Sequence, residues 1–211
     1  MTHAVLIGDS VFDNGVYVRG GPDVVRQLRA RLPGGRATLR AVDGAVLADV
    51  PRQLADLPGD ATHLVVSAGG NDALRASGVL DDPACSVAEA LARLANAQDR
   101  FRAEYGAALD AVLAHGLPTA ICTIYDPRYP DPIRRRLAAT ALALLNDVVT
   151  RAVAARVLTL LDLRVLCGED ADFANPIEPS VRGGDRIAAA IAAFLREEEV
   201  GCSHGRIIAR P

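Results

Sequence analysis

Ala4-Val5-Leu6-Ile7-Gly8-Asp9-Ser10 is the stretch on which the reading of this chain turns. An apolar run, half of it β-branched, goes straight into a glycine. A continuous apolar run this short suits a strand buried on both faces. Gly-Asp-Ser is turn chemistry, so the strand ends near Gly8 and Ser10 falls just beyond its carboxyl end. Similar runs recur at 37–42, 64–68, 119–124 and 157–161. Helical patterns separate them. Val24, Val25, Leu28 and Leu32 form one stripe within 22–32, and a short helix follows Asp49 with Pro51 in its first turn. Ser86 caps a long helix to Ala114, with Glu89 at the capping-box offset. Asp131-Pro132 opens another helix to Arg156, and the last runs from Ser180 to Glu199. Strands that alternate with helices predict a parallel sheet covered on both sides. Its reactive loops gather beyond the carboxyl ends of the strands.

Length and composition narrow the classes. A chain of 211 residues, 50% hydrophobic and 23% charged, predicts one globular domain over 1–211, with 200–211 as a C-terminal tail. Net charge is −3, with no basic footprint for nucleic acid. The apolar runs fall short of a membrane span. The N-terminus lacks a basic leader region, so the expected location is the cytoplasm. All 23 basic residues are arginine. Without lysine, Schiff-base chemistry and a P-loop are excluded. Cys85, Cys122, Cys167 and Cys202 lack zinc or redox spacing and read as buried thiols.

Three loops carry candidate chemistry. Gly8-Asp9-Ser10 follows the first strand, Asp43-Gly44 the second, and Gly69-Gly70-Asn71-Asp72 the third. Each alone is an ordinary turn. Together they fall after strands one, two and three, all at one end of the sheet.

In these blocks the chain resembles the SGNH (GDSL-type) hydrolases, from Val5 to about Leu195. Gly8-Asp9-Ser10 matches the nucleophile block, Gly44 the single-glycine block, and Gly70-Asn71-Asp72 the Gly-x-Asn-Asp block. The resemblance implies a three-layer α/β/α sandwich with a five-stranded parallel sheet in the flavodoxin-like order 2-1-3-4-5. It implies a serine esterase that hydrolyses small acyl esters through an acyl-Ser10 intermediate, with neither metal nor cofactor. The Ser10 N–H, the Gly44 N–H and the Asn71 amide take the oxyanion-hole positions.

The family's last block, Asp-x-x-His, is altered. Asn175 stands at the Asp position and Glu178 at the His position. The helix directions place His3, His63 and His115 at the far end of the sheet. His204 follows the last helix, where only a second subunit could bring it to Ser10. Glu178 is then the available base, with Asn175 holding it. A free carboxylate has a pKa of about 4.3, and desolvation would raise it toward a working pH. Two readings stay open. Either Glu178 is an atypical base, or it is a helix N-terminal acid favoured by the macrodipole. The second leaves a non-enzymatic ligand-binding member of the same fold. Tyr17, Arg19 and Tyr125 are expected pocket walls.

Overall fold

The computed structural model describes residues 1–198 and 207–208. Five parallel strands form the sheet: β1 (His3–Gly8), β2 (Arg36–Leu39), β3 (His63–Ser67), β4 (Thr119–Cys122) and β5 (Thr159–Leu161), in the order β2-β1-β3-β4-β5. Two further short strands, β6 (Phe173–Asn175) and β7 (Glu178–Pro179), pair antiparallel as a separate hairpin. The sequence shows no run there, because so short a ladder carries no periodicity. Ile207–Ile208 (β8) adds a sixth strand beside β5. Cys202 and His204 lie outside the described residues.

The helices are α1 (Val24–Ala30), α2 (Val50–Leu54), α3 (Gly70–Ala76), α4 (Val87–Leu113), α5 (Pro132–Ala155), α6 (Leu163–Leu166) and α7 (Val181–Glu198). The expected caps hold two of them: Ser86 accepts the Glu89 N–H, and Asp131 accepts the Ile133 N–H. α3 hides in the sequence behind Gly69-Gly70. Its N-cap Gly69 has φ +106°, and a Cβ there would press on the Phe101 ring.

Alternation along each strand divides the core. Ala4 and Leu6 pack with Val24, Leu28, Ile187 and Ile191 under α1 and α7. Val5 and Ile7 face the other way, onto Leu54, Leu109 and Val149 of α2, α4 and α5. By length and composition α5 could cross a membrane, which single uninterrupted runs had not suggested. Its second half instead buries Leu145, Val148, Val149 and Val153 in this core. Cys122 and Cys167 are buried free thiols, as expected, but Cys85 is exposed. It sits just ahead of the α4 cap, where nothing packs over it.

Two carboxamides fix the strand ends that lead to the loops. Gln53 accepts the Gly8 N–H at 2.7 Å and donates to the Gly8 carbonyl at 2.8 Å. Asn146 brackets Ile124 in the same way, at 2.9 and 2.8 Å. Each side chain takes the place of a missing β partner for buried backbone groups. Gly8 itself is obligatory: its φ is +130°, and a Cβ would lie 1.7 Å from the Ser67 carbonyl oxygen.

Candidate active site

Ser10 stands on the turn after β1, and Glu178 opens β7, just ahead of the last helix. Both are buried, at 7% and 5% exposure. The Ser10 hydroxyl donates to Glu178 Oε1 at 3.1 Å. The second carboxylate oxygen, Oε2, is buried with no hydrogen-bond partner among the described residues. Glu178 is not the cap of α7. Ser180 fills that place, its hydroxyl accepting the Gly183 N–H.

The carboxylate is held from both sides along the chain. The Tyr125 hydroxyl donates to the Ile177 carbonyl at 2.6 Å, and Asn14 donates to the Pro179 carbonyl at 3.1 Å. Tyr125 also meets Phe173 edge-on, with ring centroids 5.0 Å apart. The Arg128 guanidinium lies over the same ring, and its backbone N–H donates to the Pro176 carbonyl. The loop after β4 thus clamps the hairpin that carries Glu178. Asn14 ties it to the start of α1 by accepting the Val24 N–H. Tyr125 was legible only as a pocket wall, and Asn14 carried no signal that singled it out. Their positioning bonds run to backbone far away in sequence.

The Asn175 side chain does not hold the Glu178 carboxylate, although the two residues pair in the hairpin ladder. It is exposed, and its side-chain oxygen accepts the Ile177 N–H at 2.9 Å, closing the β6–β7 turn. An Asn two residues before the donating N–H favours this local Asx turn, so the spacing reflects hairpin geometry.

Asn71 lies in the first turn of α3 and lines the same cleft as Ser10 and Glu178. It donates one amide hydrogen to the Ala45 carbonyl at 2.8 Å, which leaves the other free. Gly44 is exposed on the preceding turn at φ +77°, outside the cleft lining and next to that carbonyl. The N–H groups of Ser10 and Gly44 donate to no protein acceptor among the described residues. Arg19 is exposed and lines nothing here. Tyr17, also outside the cleft lining, donates to Asp43 at 2.8 Å.

The histidines lie at the other end. His3 and His63 begin β1 and β3, and Gly8 is level with Ser67 in the register. From His63 to that level is about 13 Å at ~3.3 Å per residue. His3 is engaged with Asp60 and Thr38. His115 follows the C-terminal end of α4. No histidine lines the cleft among the described residues.

The electrostatics suit a carboxylate base. Burial pushes the Glu178 carboxyl up to about 7; the Ser10 hydrogen bond works against that, and the nearby Asp43 charge adds to it. Asp9, buried below, also rises to about 7 through desolvation, opposed by the Val11 N–H, with the Glu178 charge contributing. Asp13 and Asp72 are committed to loop backbone, at the Asp43 and Leu47 N–H groups.

An α/β sheet in the order 2-1-3-4-5, with a serine and a carboxylate meeting over an apolar cleft at its carboxyl edge, defines a hydrolase-like class. Residues 6–186 match the model of the GDSL-like Lipase/Acylhydrolase family, and the chain belongs to that family. Its fold is similar to an extracellular lipase from Streptomyces rimosus (TM-score 0.67, 19% identity, covering 93% of this chain and 99% of that one). It is also similar to the lipase/acylhydrolase from Enterococcus faecalis (0.64, 19%, 94% and 97%). A third similar structure is a carbohydrate acetylesterase from Sinorhizobium meliloti (0.66, 12%, 94% and 100%). No curated protein matches.

Proposed function

We propose that this chain hydrolyses small-molecule acyl esters through an acyl-Ser10 intermediate, with Glu178 as the general base. The observation that carries this reading is the 3.1 Å bond from the Ser10 hydroxyl to the buried Glu178 carboxylate. As Oγ attacks the ester carbonyl, its proton passes to Glu178 and an Oγ–C bond forms. The oxyanion is held by the free hydrogen of Asn71 and the N–H group of Ser10; Gly44, outside the cleft lining, is left without a part in it. When the C–O bond to the alcohol breaks, Glu178 returns the proton to the leaving oxygen. Water then attacks the acyl-enzyme, again giving its proton to Glu178. Ser10 recovers that proton as the acid departs.

A base with a pKa near the working pH combines enough ionised form with enough basicity. Burial supplies this here without an imidazole. Turnover of para-nitrophenyl acetate or butyrate by the parent, abolished in Ser10→Ala, is the expected result. Turnover that survives Ser10→Ala, or none across a broad ester panel, overturns the reading.

A further inference from the structure

The cleft does not end at Ser10. It continues between α4 and α5 as a gallery; the whole cleft, from Ser10 to its open mouth, encloses about 1020 Å³ of empty space. Elementary geometry explains why. α4 has 27 residues and α5 has 24, about 40 and 36 Å at 1.5 Å per residue. The strands they cover have at most 6 residues, or about 20 Å. Both helices must therefore overshoot the carboxyl edge of the sheet. Burial agrees: the buried side chains of α4 begin at Phe101, and those of α5 at Leu145.

The overshooting halves keep their apolar stripes. Val87, Leu91 and Leu94 follow one another at helical spacing, as do Ile133, Leu137 and Ala141. Leu94 and Ala141 line the gallery, while Leu91 and Ile133 are 58% and 70% exposed. Only 22% of the most apolar window of α5 is buried. Its apolar character exceeds what the core consumes. Facing alanines, Ala97 on α4 with Ala138 and Ala141 on α5, keep the space between the helices open. Outside the gallery, near enough for the Asp43 charge to act on Glu178, Tyr17, Asp43 and Asp13 are bonded together as a polar group.

We infer that the gallery between the overshooting halves of α4 and α5 receives the acyl chain of the substrate, and that Ala97 and Ala141 set the chain length accepted. Resting on the ester-hydrolysis reading of Ser10, this assigns a medium or long unbranched acyl group, with the alcohol directed to the Tyr17–Asp43 side. An acetyl or butyryl group would leave the gallery walls without contacts.

The test is a chain-length series with the full chain. Because each buried methylene adds a few-fold in binding, para-nitrophenyl octanoate is expected to exceed the acetate in kcat/KM by at least roughly tenfold. Ala141→Phe and, on the facing helix, Ala97→Phe narrow the gallery. Each is expected to lower the octanoate-to-acetate ratio of kcat/KM by roughly tenfold or more. Acetate hydrolysed as well as octanoate, or an unchanged profile in both variants, overturns the inference and leaves the Ser10 reading intact. A second measurement needs no turnover: fluorescence titration with dansyl-undecanoic acid. Saturable binding that Ala141→Phe abolishes supports the gallery even where no ester is hydrolysed, the result that overturns the Ser10 reading. An absence of saturable binding overturns the gallery.

Discussion

The seat of Glu178 and the gallery above it lie in one cleft and are built in opposite ways. Around Glu178, both neighbouring carbonyls are tied down by distant side chains, Tyr125 and Asn14, and the strand leading to Ser10 is bracketed by Gln53. Between α4 and α5 there are alanines, leucines and open space. The contrast follows from what each region must do. A proton transfer needs donor and acceptor fixed within hydrogen-bond reach. An apolar chain needs only a dry surface and room, which small side chains at helical spacing supply.

That contrast can be broken by mutation. The largest effect on folding is expected where α5 still belongs to the core. Leu145→Ala should cost roughly 2–5 kcal/mol, seen as a lower denaturation midpoint. For chemistry, Asn71→Ala should lower kcat by roughly 10²–10³, as the loss of one oxyanion donor does. If only KM moves, Asn71 serves binding alone. Tyr125→Phe removes the hydroxyl that holds the Ile177 carbonyl and is expected to cost about 0.5–1.5 kcal/mol. It should lower kcat with little change in KM, because the base shifts and the gallery does not. At the overshooting tip, Leu91→Ala should change stability by less than about 0.5 kcal/mol. A loss near that of Leu145→Ala would show that the tip is packed against something and not open.

Much of the architecture was legible because it rests on local signals. The apolar runs gave the five main strands to within a few residues, and Ser86 and Asp131 announced their helices through their own capping bonds. The strand order came from the family blocks, not from periodicity. Ser10 and Glu178 were legible as positions within those blocks. What Asn175 does was not, because an Asn that closes its own turn is indistinguishable in sequence from one that orients a neighbour. Gln53, Asn146 and Tyr125 act on backbone 45, 22 and 52 residues away, and no spacing rule reaches so far. The sequence of α5 does not separate the part that packs in the core from the part that does not. Only comparing helix length with strand length reveals that its first half has no sheet beneath it.

The pH dependence of turnover in Glu178→Gln beside the parent shows most directly whether Glu178 takes the Ser10 proton. The parent rate should rise with pH through about 7, where burial places Glu178, because the base must be ionised to take the Ser10 proton. This lies in the range of an imidazole, so the midpoint alone does not identify the group; the variant does. Gln keeps the shape and removes the basicity, and should lower the rate by roughly 10²–10⁴. Stability supplies the internal control. A carboxyl whose folded pKa is raised contributes stability that is full below its unfolded value of about 4.3 and is lost as pH rises through its folded value. The variant should therefore be at least as stable as the parent at pH values above about 7, while being nearly inactive. An unchanged rate and pH profile in Glu178→Gln would remove Glu178 from the chemistry and contradict the account.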